Sequence, residues 1–287
     1  MRRWERTAPC KVNLALDILG RREDGYHDMY MVMQTLSLCD TVTVEEGGNG
    51  FTLRAQGIDL PEGKKSLEQR AAEAFFAYIG RSMPPLTVTL EKITPAYAGL
   101  GGGSADVAAL LRILRDIYAP ALSGAELERI GFAVGSDMPF CVRGGTALAE
   151  GRGERLTDLA PLPDCRFVLC KPDFGIPTPE LFARVHTGGI TRRPDIPGMM
   201  AALERGDLLG VTRRLENVFE QVLPPGYHEV FTIKRRLLDL GALGAVMSGS
   251  GPTVFGVFAE ESAARQAAAA LRSRYARTYL ARPVEKF

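Results

Sequence analysis

A run of glycines between a predicted strand and a predicted helix constrains the fold of this chain more than any other feature. Residues 95–106 read PAYAGLGGGSAD, and four of the five residues from Gly99 to Gly103 are glycine. The segment before the run, LTVTLEKI, alternates as a strand does, and VAALLRILRDIY after it has helical spacing. Because glycine has no Cβ, such a loop makes a tight turn or brings backbone N–H groups close to a ligand.

Two common phosphate-binding loops do not fit this run. A P-loop has a lysine after its last glycine, whereas Gly103 is followed by Ser104 and Ala105. A dinucleotide-binding turn is followed, about 20 residues on, by a second strand with an acidic residue, and the sequence predicts no such strand. Two readings stay open: a tight turn, or a phosphate cradle at a helix N-terminus. In the second, Ser104 caps the helix or contacts phosphate or Mg²⁺.

Composition excludes several classes of protein. The chain has 287 residues, 46% of them hydrophobic and 24% charged, with a formal net charge of +1. This balance provides no electrostatic basis for binding nucleic acid or an anionic membrane. The N-terminus lacks the apolar core of a signal peptide, and no stretch reaches membrane-spanning length, which predicts a cytoplasmic protein. Five scattered cysteines and three separated histidines predict reduced thiols and no metal cage of side chains.

The order of predicted elements indicates an α+β protein of two domains. Strand-like segments fill the first third, and helices with capping boxes are predicted to begin after Ser66 and Ser123. The proline-containing stretch APLPDC is the expected boundary between an N-terminal domain, 1–160, and a C-terminal domain, 161–287. The second domain is expected to be a split β-α-β sandwich, with helices on one face of an antiparallel sheet.

Three further segments carry polar or small residues that the glycine run does not explain. Lys11 and Asn13 alternate along an early strand and share one face, which is either solvated or the lining of a cleft. Asp137, in GSDMPF, is either a turn former or a functional carboxylate. Residues 248–256, SGSGPTVFG, form a second glycine-rich turn with more small residues than an ordinary hairpin needs.

These segments together resemble the GHMP kinases, a family that includes galactokinase, homoserine kinase, mevalonate kinase and phosphomevalonate kinase. The resemblance rests on KVNL, PxxAGLGGGS, GSDMPF and SGSGPTVFG, and it runs from about Thr7 to about Phe258. It implies a ribosomal-protein-like N-terminal nucleotide-binding domain and a ferredoxin-like C-terminal domain. It also implies an ATP-dependent phosphotransferase that acts on an alcohol group of a small molecule, as a monomer or homodimer.

Three segments, GRREDGYH, QTLSLCD and GIPTPELF, are similar to one branch of this family. Members of that branch move the γ-phosphoryl group of ATP to the 2-hydroxyl of a cytidyl diphosphate sugar alcohol, in the non-mevalonate route to isoprenoids. Homoserine and phosphomevalonate kinases have no cytosine to recognise, so DGYHD argues against them. A related diphosphate decarboxylase would need a basic residue for a carboxylate, and the intact Lys11, Asp137 and glycine loop argue against a non-catalytic binder.

The resemblance implies roles for individual residues around the phosphates. Asp137 is expected to be the general base, or to orient the acceptor hydroxyl, and Lys11 to stabilise charge and keep Asp137 ionised. Ser104 is also the expected contact for Mg²⁺ or the β-phosphate, and Lys92 is a further candidate near the nucleotide. The residues expected to wrap the ATP phosphates are Pro95, Ala96, Tyr97, Ala98, Gly99, Leu100, Gly101, Gly102, Gly103, Ser104 and Ala105.

The resemblance also implies a substrate site in which an aromatic ring stacks on the cytosine while His27 reads its polar edge. Phe182 would complete the stack, and the second glycine turn would lie beneath the active site and admit the substrate's phosphates. The residues expected at this site are Asn13, Tyr26, His27, Thr178, Phe182, Gly249, Ser250 and Gly251.

Two positions depart from the family's pattern. Many members have a second serine where this chain has Ala105, so a contact from that hydroxyl is missing. Ser66 stands where an Asn-Leu pair usually opens the helix. Since serine is also a good N-cap, the fold is expected to survive, whereas a side-chain contact to the adenine is not expected.

Overall fold

Two long antiparallel strands form the middle of the larger sheet. In the computed structural model, which describes residues 2–56, 65–185 and 189–286, β1 (Arg3–Arg21) pairs with β2 (His27–Glu46) over nearly their full lengths. The segments YMVMQTLSL and TVTVEE both lie in β2, which neither glycine nor proline interrupts. Residues 8–18 of β1 are buried on both faces, so Lys11 and Asn13 lie in the interior and the solvated-face alternative is wrong.

The remaining described elements alternate short strands with helices of mostly two to four turns. The strands are β3 (Phe51–Gln56), β4 (Leu86–Glu91), β5 (Thr146–Gly151), β6 (Arg155–Asp158), β7 (Arg166–Cys170), β8 (Glu216–Asn217), β9 (Gly244–Met247), β10 (Val254–Phe258) and β11 (Thr278–Ala281). The helices are α1 (Leu67–Tyr78), α2 (Gly102–Tyr118), α3 (Gly124–Phe132), α4 (Met138–Arg143), α5 (Thr178–Arg184), α6 (Ile196–Glu204), α7 (Leu208–Thr212), α8 (Glu229–Asp239) and α9 (Glu261–Arg272).

The strands form two sheets. In the larger sheet the order is β3-β4-β2-β1-β8, and β5 pairs with β2 beside β4, with β6 at the edge. In the smaller sheet the order is β11-β7-β10-β9, and every pairing is antiparallel. Strands β9 and β10, on either side of the second glycine-rich turn, form a hairpin in which Met247 pairs with Val254. This is the mixed α+β architecture that the sequence predicts.

Capping residues set the starts of the helices around the larger sheet. The Ser66 hydroxyl accepts the N–H of Gln69 at 3.1 Å, so serine starts α1 as expected. The predicted capping box of Ser123 and Glu126 is present at α3. Of the two roles left open for Ser104, that of a cap does not apply: Gly101, with a φ of 67°, is the N-cap of α2, and glycine adopts this left-handed conformation at little cost.

Apolar side chains of α1 and α2 pack on one face of the larger sheet. Phe75 of α1 and Leu110 of α2 are fully buried in one cluster with Val88 of β4. This cluster holds the start of α2, and therefore the glycine loop, against the sheet. No helix within residues 2–56, 65–185 and 189–286 has the length and apolar character needed to cross a membrane.

The chain crosses between the two sheets after β7. Strand β8, from the second half of the sequence, adds to β1 in parallel, and Asn217 within it donates hydrogen bonds to the carbonyls of Met247 and Gly249, at 2.7 and 2.8 Å. Helices α8 and α9 contact the smaller sheet, and alternate residues of its strands pack with α6 and β1 in a second cluster. The boundary between 160 and 161 stays a prediction.

Candidate active site

A cavity of about 1540 Å³ is lined by nearly every site residue that the sequence predicts. Its wall is built from the glycine loop, the middle of β1, the β1–β2 turn, α5 and the β9–β10 turn. The predicted residues in the wall are Lys11, Asn13, Tyr26, His27, Lys92, Pro95, Ala96, Tyr97, Ala98, Gly99, Leu100, Gly101, Gly102, Gly103, Ser104, Asp137, Thr178, Phe182, Gly249, Ser250 and Gly251. Ala105 is absent from this wall.

Lys11 and Asp137, far apart in the sequence, meet in the cavity. The Lys11 Nζ lies 3.3 Å from the Asp137 Oδ2 and donates to the Asn13 Oδ1 at 2.8 Å. The lysine side chain is buried, with 5% of its surface exposed, whereas that of Asp137 is 37% exposed. Asp137 precedes α4 without capping it through its side chain, so its carboxylate is available to the cavity.

At two positions of the glycine loop, a side chain would collide with neighbouring atoms. At Gly101, a Cβ would stand 2.8 Å from the Lys11 Cγ, so the loop lies directly on the lysine stem. At Gly99, with a φ of 74°, a Cβ would stand 2.0 Å from the Ser248 carbonyl oxygen. These contacts show that the loop makes a tight turn with closely packed backbone at Gly99 and Gly101.

The first turn of α2 faces the cavity. Its N–H groups at Gly102, Gly103 and Ser104 begin a helix whose first turn has no acidic residue, so its positive end is not neutralised by its own side chains. Ala105 differs from its neighbours: its N–H donates to the Gly101 carbonyl at 2.9 Å, and its side chain is buried in the core. A contact from Ala105 to a bound phosphate is therefore not available in this arrangement.

Ser248, which the sequence interpretation did not assign to the site, joins three of its elements. Its hydroxyl donates to the Gly99 carbonyl at 2.9 Å and accepts the N–H of Asn13 at 3.3 Å. Nearby, the hydroxyl oxygens of Thr178 and Ser250 lie 2.7 Å apart and link α5 to the same turn. A serine in a glycine-rich turn gives no local signal of contacts this distant in sequence.

An aromatic group lies on the wall formed by the β1–β2 turn and α5. The rings of His27 and Phe182 are stacked with centroids 4.8 Å apart, and Phe182 meets Phe219 edge-on at 5.0 Å. Burial, and then the positive charge of Arg21, lower the pKa of His27, so the imidazole is neutral at pH 7. A neutral imidazole offers one donor and one acceptor.

Lys92 lies in the cavity wall, but its ammonium group pairs with two buried carboxylates, those of Asp40 and Asp106. Asp40 also accepts the N–H groups of Ile93 and Thr94, at 2.6 and 2.7 Å, at the start of the segment that becomes the glycine loop. Burial raises the pKa of Asp106 to about 7, against the opposing effect of Lys92. Lys92 thus ties α2 to β2 and β4.

Two family models match this chain: the GHMP kinase N-terminal domain over residues 66–145, and the GHMP kinase C-terminal region over residues 199–277. The chain belongs to the GHMP kinases. The first match contains the glycine loop and Asp137, and the second contains the β9–β10 turn.

Curated relatives indicate which kind of GHMP kinase this chain is similar to. A 4-diphosphocytidyl-2-C-methyl-D-erythritol kinase from Pelotomaculum thermopropionicum is 44% identical over 94% of this chain and 93% of its own length. The kinase of the same name from Moorella thermoacetica is 43% identical, over 95% and 96%. This GHMP kinase is therefore similar over nearly its full length to kinases of one name.

Solved structures agree with this likeness. A crystal structure of 4-(cytidine 5'-diphospho)-2C-methyl-D-erythritol kinase is 34% identical, with a TM-score of 0.81 over 98% of this chain and 99% of its own. A homoserine kinase from Cytophaga hutchinsonii has a TM-score of 0.77 over 100% and 96% but is only 17% identical. The second likeness shows the shared fold alone.

The described residues contain no cluster of three or more His, Cys, Asp or Glu side chains that could enclose a metal ion. Besides Asp106, which pairs with Lys92, the cavity wall includes the Ser104 hydroxyl and the carboxylates of Glu68 and Asp137. This sparse set fits Mg²⁺, which keeps several water ligands and is usually held by one or two protein groups together with substrate phosphates.

Proposed function

We propose that this chain transfers the γ-phosphoryl group of ATP to the 2-hydroxyl of 4-diphosphocytidyl-2-C-methyl-D-erythritol. The reaction belongs to the non-mevalonate route to isoprenoid precursors. The observation that carries the proposal is a single cavity that holds the Lys11–Asp137 pair, the glycine loop and the aromatic group at His27. Sequence identity of 43–44%, over nearly the full length, to kinases named for this substrate supports the same conclusion.

Asp137 is the proposed base. It is the more exposed residue of the Lys11–Asp137 pair, and its carboxylate can reach a bound hydroxyl. Lys11 is buried and fixed by Asn13, so its charge has a defined position between the carboxylate and the glycine loop. A fixed positive charge there stabilises the charge that develops during phosphoryl transfer without reorganisation.

The start of α2 is the proposed phosphate cradle. Its N–H groups and the positive helix end suit an anion, and the glycines allow close approach. Mg²⁺ bound with ATP would be held by the Ser104 hydroxyl and would neutralise charge on the phosphates. Because Lys92 is committed to Asp40 and Asp106, we propose that it supports the loop instead of contacting the nucleotide directly.

The aromatic group is the proposed cytosine site. Tyr26 is 51% exposed and lines the cavity, so its ring is accessible to a stacked base. The neutral His27 has the donor and acceptor needed to read the polar edge of a pyrimidine. Mevalonate, homoserine and galactose carry no such base, so this site favours the cytidyl substrate.

The test is a substrate panel read by coupled ADP release in the presence of Mg²⁺. ADP formation is expected with 4-diphosphocytidyl-2-C-methyl-D-erythritol and none with mevalonate, homoserine or galactose at the same concentration. Turnover of one of those three alcohols, with none on the cytidyl substrate at high enzyme concentration, would overturn the proposal.

We also propose that the enzyme works in the cytoplasm. The five cysteines are free, and four of them are buried, which suits a compartment where thiols stay reduced.

A further inference from the structure

The turn between β5 and β6 brings into the cavity wall an arginine that no sequence motif singled out. The backbone N–H of Arg152 donates to the Glu154 Oε2 at 2.6 Å, which fixes the turn. A Cβ at Gly153 would stand 3.1 Å from the carbonyl oxygen of Ser136, so the turn packs on the residue that precedes Asp137. Arg152 therefore projects from a well-anchored turn.

The guanidinium of Arg152 lies between two aromatic rings. Its Cζ is 3.5 Å from the centroid of Tyr26 and 5.0 Å from that of Phe132. The Nε is buried, and it has no hydrogen-bond partner among the described residues. A guanidinium held in this way interacts through its planar face and charge with the rings.

Tyr26 needs such support because of its place in the fold. It follows Gly25, whose φ is 84°, at the tip of the β1–β2 turn, and half of its surface is exposed. Its carbonyl accepts the N–H of Arg22 at 2.8 Å, which fixes the backbone but not the ring. The guanidinium of Arg152 contacts the face of the ring itself.

We propose that Arg152 is a positioning residue for the proposed reaction: it holds the Tyr26 ring in the orientation that stacks on the pyrimidine of the substrate. A ring that is fixed in advance loses less freedom on binding, so the stack gains affinity. This role requires a substrate with a pyrimidine base, and so the inference rests on the proposed function.

The test is a double-mutant cycle with Arg152→Met and Tyr26→Leu, measured as kcat and KM with the cytidyl substrate. Arg152→Met is expected to raise the KM for that substrate about tenfold, the size of a partly desolvated cation–π contact, while kcat and the KM for ATP change less than about twofold. In the Tyr26→Leu background the same change is expected to raise KM by less than about twofold. Arg155→Met, at an exposed position on β6, is the matched control and is expected to behave as wild type.

An equal KM increase in both backgrounds would overturn the inference, because Arg152 would then contact the substrate directly. A fall in kcat with unchanged KM would also overturn it. Thermal unfolding of each variant shows whether it folds. If Arg152→Met does not fold, the cycle is run with Arg152→Lys, which keeps the charge without the planar group and is expected to show a smaller coupling of the same sign. Absence of turnover by the wild-type chain would count against the proposed function, whereas turnover without coupling counts only against Arg152.

Discussion

Lys11 and Asp137 differ in how deeply they are buried, and this difference suits them to different roles. Lys11 is enclosed by β1 and the glycine loop, and its backbone N–H donates to the Leu100 carbonyl at 2.9 Å. Asp137 is open to the cavity at the start of α4. The lysine therefore has a fixed position, and the carboxylate is accessible from the cavity. This geometry suits a fixed charge beside a reactive base.

Asp137→Asn tests the base directly. The amide has the same shape but cannot accept a proton, so kcat is expected to fall at least about 100-fold. The Kd of a non-hydrolysable ATP analogue, measured by titration calorimetry, is expected to change less than about twofold. Asp116→Asn, at an exposed carboxylate on α2, provides the control and is expected to keep full turnover. Near wild-type turnover by the Asp137 variant would show that another group accepts the proton.

Asp106 predicts a pH dependence of stability. Its pKa in the folded state is about 7, compared with an ordinary value of 3.8, because it is buried. The folded chain therefore binds this proton more tightly, and its contribution to the unfolding free energy is complete below pH 4 and is lost as the pH rises to about 7. Asp106→Asn removes that dependence, on the order of 4 kcal/mol between these pH values.

Urea unfolding of both proteins at several pH values from 4 to 8 measures this difference. Because many other carboxylates titrate in the same range, the quantity compared is wild type minus Asp106→Asn at each pH. A difference that is constant from pH 4 to pH 8 would contradict the raised pKa of Asp106.

At the scale of elements, the glycine loop depends on what packs against it. One side lies on the Lys11 stem, and another lies against the β9–β10 turn, where Ser248 joins Gly99 to Asn13. Below it, the pairing of Lys92 with Asp40 and Asp106 joins the loop's two ends, β4 and α2, to β2. Three elements thus hold the loop, which keeps its N–H groups in place before a ligand arrives.

Two glycines of this loop are expected to respond to alanine in opposite directions. Gly101→Ala introduces a side chain at a φ of 67° and against Lys11, so the melting temperature and kcat are both expected to fall, with a conformational cost of about 1–2 kcal/mol. Gly103→Ala lies within α2, where the nearest atom to its Cβ is 3.6 Å away. Stability there is expected to rise by up to about 1 kcal/mol.

Thermal unfolding of the two variants without nucleotide makes the comparison, since both change the same residue type in the same loop. A Gly101→Ala variant as stable as Gly103→Ala would contradict the left-handed conformation and the close contact with Lys11.

At the scale of the whole molecule, the sequence predicts local features well and long-range contacts less well. The caps at Ser66 and Ser123 can be predicted from the sequence, because each depends on a residue only three positions away. The roles of Ser248 and Arg152 are not, because their partners lie on other elements, and neither residue type nor spacing identifies them. The sequence left open whether Ser104 caps α2, and Gly101 is the residue at that position.

The fold itself does not determine the substrate. Homoserine, mevalonate and phosphomevalonate kinases share it at 13–17% identity, as do mevalonate diphosphate decarboxylases. The residues that we propose to select the substrate are Tyr26, His27 and Phe182 in the wall of the cavity. A test of the whole account must therefore follow both the phosphoryl group and the cytidyl substrate.

The most direct measurement incubates the wild-type chain with ATP labelled in the γ-phosphate and with 4-diphosphocytidyl-2-C-methyl-D-erythritol, then separates the products. The label is expected to move to the 2-hydroxyl of the substrate, with one ADP formed for each label transferred. Label recovered only as inorganic phosphate, or left on ATP, would contradict that expectation.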